Sequence, residues 1–248
     1  MFRCLAAHTV MLCIAMYGNI PAFSVDKKCY KKVLKVAIDI GHSKRDPGAI
    51  SARGIPEYVF NQRFASEFVK HNTKHKKLKL IIINESGKPI RLRDRTRIAA
   101  QNNADIFLSF HHDSVNRKYL NKWVYKGEKR NYSDKFQGFS LFVSSKNQRF
   151  SKSFELAKLI GNNFVAKGFE PTLHHAEPIK GENRKLLQKN LGIYDVPFAV
   201  LRTATMPSVL IELGIILNRK EETLLNMPSY REKLIANITQ ALEKFCPL

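Results

Sequence analysis

The chain runs to 248 residues, 44% hydrophobic and 25% charged, which supplies a core and excludes wholesale disorder. Its 42 Lys and Arg against 21 Asp and Glu leave a net charge of +21, a surplus that favours polyanionic neighbours such as nucleic acid, phospholipid or an acidic wall polymer without choosing among them. The length fits one or two domains, and loss of an N-terminal leader makes one the expectation.

Residues 1–24 have the order of an export signal: Arg3 near the start, an apolar stretch over 10–17, then Pro21 and the pattern Ala22-Phe23-Ser24. Cleavage near Ser24 leaves a single domain over 25–248. The apolar stretch is shorter than the roughly 20 residues of a spanning helix, so the sequence predicts no stable membrane insertion. Cys4 and Cys13 leave with the signal. Cys29 and Cys246 flank the first strand and last helix, and in an oxidising compartment they either pair or remain two thiols.

In the mature part, residues 33–40 form a β-rich run that stops at Gly41, the pattern of a buried strand. Beyond a loop with Pro47, Gly48 and Gly54, Pro56 opens a helix on which Val59, Phe60, Phe64 and Phe68 share a face. Glu57 therefore lies in a first turn. A strand over 78–83, a helix through Leu92, Arg95, Ile98 and Ala99, and a strand over 106–110 follow. Residues 115–137 are basic and polar, too long for an ordinary connection, and read as a surface excursion. Strand character returns over 139–143, a helix spans Phe154 to Val165, residues 168–192 are irregular, and 209–211 form a last central strand. Tyr230, Leu234, Ile238, Ala241, Leu242 and Phe245 are spaced for an amphipathic helix. Alternation of this kind predicts an α/β fold: a largely parallel twisted sheet of about six strands with helices on both faces.

In such sheets functional groups collect past the C-terminal ends of the strands. His42 follows the first strand, His111 ends the third, Glu212 ends the last central one, and Glu57 opens the helix beyond the His42 loop. Two imidazoles and one carboxylate are a recognised zinc ligand set for hydrolases, and a further carboxylate would serve as general base. Each has an ordinary alternative: a loop histidine that is only hydrogen-bonded, or an acid placed for the helix dipole. Glu212 is harder to dismiss, because a carboxylate ending a buried strand needs a metal, a partner or a raised pKa. His174-His175-Ala176-Glu177 is the other constellation with metal-ligand chemistry, but adjacent histidines on an irregular loop are expected to face solvent.

Four motifs occur in order: Val36-Ala37-Ile38-Asp39-Ile40-Gly41-His42 continuing to Asp46-Pro47-Gly48-Ala49; Glu57 with Asn61; Arg95 before Ala104-Asp105-Ile106-Phe107-Leu108-Ser109-Phe110-His111; and Met206-Pro207-Ser208-Val209-Leu210-Ile211-Glu212-Leu213-Gly214 to Asn218. Together they resemble the zinc-dependent N-acetylmuramoyl-L-alanine amidases over nearly the whole mature chain. The resemblance implies that His42, Glu57 and His111 bind Zn2+ and that Glu212 is the catalytic acid/base. It implies an exported enzyme, periplasmic or wall-associated, that cuts the amide between the lactyl group of N-acetylmuramic acid and L-alanine of the stem peptide; separately, the chain is expected to be a monomer. Peptidoglycan is then the partner, with a protein activator in those members whose active site is plugged by an insert; here only residues 115–137 and the segment near Glu177 offer room for one.

The sequence departs from the family at Ser43, where glycine is usual, at His112, where a small residue is common, and at Ile215-Ile216, where an aromatic usually begins the segment. His112 raises the question of which adjacent imidazole faces the site, since alternation allows only one; the motif register selects His111. The rival readings are a zinc peptidase acting on stem peptides, a glycosidase pairing Glu57 with Glu212, and a basic nucleic-acid module. An export signal and the lack of a basic stripe interleaved with stacking aromatics argue against nucleic acid.

Overall fold

The computed structural model describes residues 33–246; the export-signal reading of 1–24 and Cys29 lie outside the described residues. Among the described residues nine strands and six α-helices occur in the order β1 (Leu34–Ile40), α1 (Glu57–Asn72), β2 (Leu78–Ile83), α2 (Leu92–Gln101), β3 (Ile106–Asp113), β4 (Asn121–Tyr125), β5 (Glu128–Tyr132), β6 (Ser140–Val143), α3 (Phe150–Ala166), β7 (Lys185–Gln188), β8 (Ile193–Asp195), α4 (Ala199–Arg202), β9 (Ser208–Ile215), α5 (Arg219–Asn226) and α6 (Pro228–Phe245).

Seven strands form one sheet in the order β2-β1-β3-β9-β6-β8-β7. The β2, β1, β3 and β9 half is parallel. β6 runs antiparallel to β9, and β7 antiparallel to β8. The expected α/β architecture is therefore present, with one more strand than anticipated and a mixed edge. β7 and β8 lie in the stretch read as irregular and its margin; at four and three residues they are held by pairing with neighbours rather than by their own pattern.

Period-two alternation sends β-strand side chains to two cores. Val36, Ile38, Leu108, Phe110, Val209 and Ile211 pack with Phe64 and Phe68 of α1 and with α3 and α6. Ala37, Phe107 and Leu210 pack on the opposite face with Ala99, Val200 and Leu201. The α1 stripe is Glu57, Phe60, Asn61, Phe64 and Phe68; Val59, expected on it, is 36% exposed.

Residues 115–137 contain a β4-β5 hairpin in its own two-stranded sheet, turned by Lys126 and Gly127, both at positive φ. It is tied down where Trp123 Nε1 donates to Ala52 O at 3.0 Å and where Arg219 stacks 3.9 Å from the Tyr132 ring centroid. Cys246, at the end of α6, is buried and disulfide-bonded. No helix among the described residues is long and apolar enough to cross a membrane.

Candidate metal centre

Strand register assembles the site. On β3, Phe107, Ser109 and His111 face away from α1. On β9, Leu210 and Glu212 face the same way, and His111 is the register partner of Glu212. Gly41 follows β1 beside them, and its lack of a side chain is required: a Cβ there would overlap the His111 ring.

His42 follows in the left-handed region, φ 67°, a conformation that costs a non-glycine residue about 1–3 kcal/mol. It is over-determined by its surroundings. Asn84 Nδ2 and Arg95 Nη2 both donate to the His42 carbonyl, at 2.7 and 2.6 Å. Arg95, from α2 and 3% exposed, also donates through Nη1 to Asp39 Oδ1 and to Ile40 O. Asp39 Oδ2 in turn accepts from Ser109.

Glu57 lies between the two imidazoles. Its Oε2 is 3.0 Å from His42 Nε2 and its Oε1 3.0 Å from His111 Nδ1. The ring centroids are 5.0 Å apart, and one donor atom from each of the three residues falls within 4.8 Å of the others. Asn61, one turn along α1, donates to Glu57 Oε1, and Ala49 N to Oε2. Burial alone would raise the Glu57 pKa, but hydrogen bonds and charge from His111 and His42 hold it well below the usual carboxylate range. Gly48, at φ 76°, leaves the space that a Cβ would take from Glu57 and His42. A borderline-soft divalent ion fits this set: two nitrogens and one ionised carboxylate, oriented by outer partners.

His112 points to the other core. It packs 5.4 Å from Phe60, centroid to centroid, and donates through Nδ1 to Asn61 Oδ1. Burial pushes its pKa down to about 3, so it is a neutral support for Asn61. The adjacent-histidine question is thus resolved geometrically: His111 joins Glu57 and His42.

Glu212 faces a cavity of ≈ 450 Å³ that it shares with His42 and His111, walled by Leu92, Phe198 and Val200. Its Oε2 is buried with no hydrogen-bond partner among the described residues. Burial first, then the charges of Asp113 and Glu57, raise its pKa well above the ordinary value, with Arg184 opposing. All four predicted site residues therefore come together. Asn84, Asp39 and Asp113 were not singled out in the sequence; the first two act through long-range contacts that no local pattern announces. His174 and His175, expected to face solvent, are 2% and 5% exposed, because buried Asp113 and Glu182 draw them inward.

A family model described as N-acetylmuramoyl-L-alanine amidase matches residues 36–244. The probable N-acetylmuramoyl-L-alanine amidase AmiB of Haemophilus influenzae is 29% identical, over 86% of this chain and 52% of that protein, so the chain spans about half of that relative. A putative N-acetylmuramoyl-L-alanine amidase of Buchnera aphidicola is 28% identical over 85% of this chain and 95% of its own length. In fold, the chain is similar to the CwlV amidase catalytic domain of Bacillus (Paenibacillus) polymyxa, with TM-score 0.65, 23% identity and coverage of 86% and 98%. It is likewise similar to an N-acetylmuramoyl-L-alanine amidase of Clostridium difficile, with TM-score 0.66, 22% identity and coverage of 87% and 97%. With a matched span that takes in most of β1 and all of α1, β3 and β9, and with them every residue of the centre, the chain belongs to the N-acetylmuramoyl-L-alanine amidase family.

Proposed function

We propose that this chain is an exported zinc-dependent N-acetylmuramoyl-L-alanine amidase. It hydrolyses the amide between the lactyl group of N-acetylmuramic acid and L-alanine in peptidoglycan. The observation that carries this reading is the convergence of His42, Glu57 and His111 on one point, with Glu212, whose buried Oε2 has no hydrogen-bond partner among the described residues, beside His111.

His42, Glu57 and His111 would hold a zinc ion, which when bound would supply a Lewis acid for the scissile carbonyl and lower the pKa of water towards about 7. The remaining chemistry belongs to the chain. Glu212 takes the proton of the attacking water and returns it to the departing alanine nitrogen, without which an amine leaves poorly. Its raised pKa suits the second half of that task. Asn61 and His112 hold Glu57 in place, while Arg95 and Asn84 hold His42. The apolar wall of Leu92, Phe198 and Val200 excludes water from one side of the reacting amide.

The domain organisation we propose is a signal over 1–24 and one catalytic domain over 25–248, working in the periplasm or at the wall. Basic residues of the hairpin, Lys122, Lys126 and Lys129, are exposed for contact with an anionic surface. The test is mass spectrometry of digested peptidoglycan: an amidase frees intact stem peptides with N-terminal alanine and leaves the glycan uncut. Cleavage only inside the stem peptide would make the chain a zinc peptidase instead, and chelator-resistant glycan cleavage would remove the metal from the mechanism.

A further inference from the structure

A second convergence of imidazoles and carboxylate lies where β3 ends, separate from the His42, Glu57 and His111 centre. Asp113, 7% exposed, closes the strand just beyond a register shift. His174 and His175 arrive on a single 3-10 turn, His174–Ala176. Asp113 Oδ2 is 2.8 Å from His175 Nε2 and 3.5 Å from His174 Nε2.

Both rings are anchored through their other nitrogen. His174 Nδ1 is hydrogen-bonded to Thr172 Oγ1 at 2.9 Å, and His175 Nδ1 to Glu182 Oε2 at 2.8 Å. Metal-binding imidazoles are oriented in this way, with an outer oxygen fixing one nitrogen so that the other is left for the ion. The second nitrogen of His174 is sealed from solvent and makes no close hydrogen bond among the described residues, while the Asp113 carboxylate at 3.5 Å and the Ser114 backbone are polar neighbours of the ring. A tetrahedral ion with bonds of about 2.0–2.1 Å sets its ligand atoms about 3.3 Å apart, which brackets with the two Asp113 distances. Two imidazoles with one carboxylate favour a borderline d-block ion over calcium or magnesium, which take oxygen ligands.

We propose that Asp113 Oδ2, His174 Nε2 and His175 Nε2 form a second divalent-metal site of zinc-like preference. Its role is to staple a wall of the catalytic cavity. Arg184 N donates to His175 O at 2.7 Å, and the Arg184 guanidinium lies 5.1 Å from the ring centroid of Phe198, which lines that cavity. An ion between β3 and the 3-10 turn fixes this whole segment against the sheet. The site stands on its own donor atoms and does not depend on the amidase reading.

The experiment is metal counting on the full chain: zinc content by mass spectrometry, then zinc titration after chelation and dialysis. The wild type is expected to hold about two zinc ions per chain. His42→Ala and His174→Gln should each hold about one, and the double variant none. A wild type that binds about one, lost in His42→Ala and kept in His174→Gln, overturns the proposal and leaves His175 as an imidazolium clamped between Asp113 and Glu182. Should His174→Gln fail to fold, anomalous diffraction at the zinc edge from wild-type crystals decides. A peak within bonding distance of Asp113 Oδ2, His174 Nε2 and His175 Nε2 supports the site, and zinc-soaked crystals without that peak refute it. The two centres are counted separately, so the amidase reading and this one fail separately.

Discussion

Replacing Arg95 by methionine tests whether the His42 turn depends on a buried ion pair. Methionine keeps an unbranched apolar side chain, so packing changes little while three hydrogen bonds are lost, to Asp39 Oδ1, Ile40 O and His42 O. The two carbonyls retain Asn84 as a donor, so the main cost falls on Asp39, a carboxylate 1% exposed and left with the Ser109 hydroxyl. Removing one member of a buried pair costs about 3–5 kcal/mol, a large part of the 5–15 kcal/mol typical of a folded domain. For a domain of this size that corresponds to a Tm lowered by roughly 6–20 °C. Losing one of the two side-chain donors on the His42 carbonyl should also weaken zinc binding about 10–100-fold. Unfolding should be followed on metal-free protein, so that ligand linkage does not mask the change, with zinc affinity measured separately by chelator competition. Adding Asp39→Asn to Arg95→Met should recover much of the loss, since the uncompensated charge goes with it. A loss below about 1 kcal/mol with zinc affinity unchanged, or a double variant no more stable than the single one, would refute the reasoning.

Glu212→Gln should retain its zinc and its fold while kcat drops about 10²–10⁴-fold; metal analysis beside peptidoglycan turnover separates this from a ligand loss. Gly48→Ala sets a Cβ against Glu57 and His42 at φ 76°, so zinc should be lost to a chelator at lower concentration than from the wild type, and equal retention counts against the tight cradle. His112, with a pKa pushed down to about 3 by burial, titrates near 6.5 once unfolded. The unfolded chain then binds the extra proton, so this contribution to stability is complete above about pH 6.5 and shrinks by up to about 1.4 kcal/mol per pH unit towards pH 3. His112→Gln should flatten the stability–pH slope across that window, and parallel slopes would remove His112 from the account.

The site was legible because its residues sit where strands stop. His42, His111 and Glu212 each follow or close an apolar run, and Glu57 marks a helix start by its position beyond Pro56. The supporting residues were not readable in the same way. Asp113 and His175 meet across 62 positions of sequence, and no local periodicity announces such a contact. The hairpin escaped because its inward face, Trp123, Tyr125 and Tyr132, packs against cations rather than aliphatic side chains, so the alternation looks polar on both faces. The reversal of β6 also left no mark, since its four residues are buried whichever way they run. The surplus of basic residues, the first feature met, favoured polyanions without selecting one; the fold places several of them on the exposed hairpin.

The pairing of His111 with Glu212 across two parallel strands carries an evolutionary corollary. Lengthening or shortening β9 by a single residue upstream of Glu212 would present Leu213 or Ile211 to the cavity and bury the acid among α3 and α6, whereas a change of two keeps an odd or even position odd or even. Viable descendants of this chain should therefore accept insertions freely in the hairpin and between elements. Within the strands that frame the chemistry, an odd change turns the acid to the other face and an even one keeps its face but moves it about 6.6 Å along β9, out of register with His111, so neither preserves the centre.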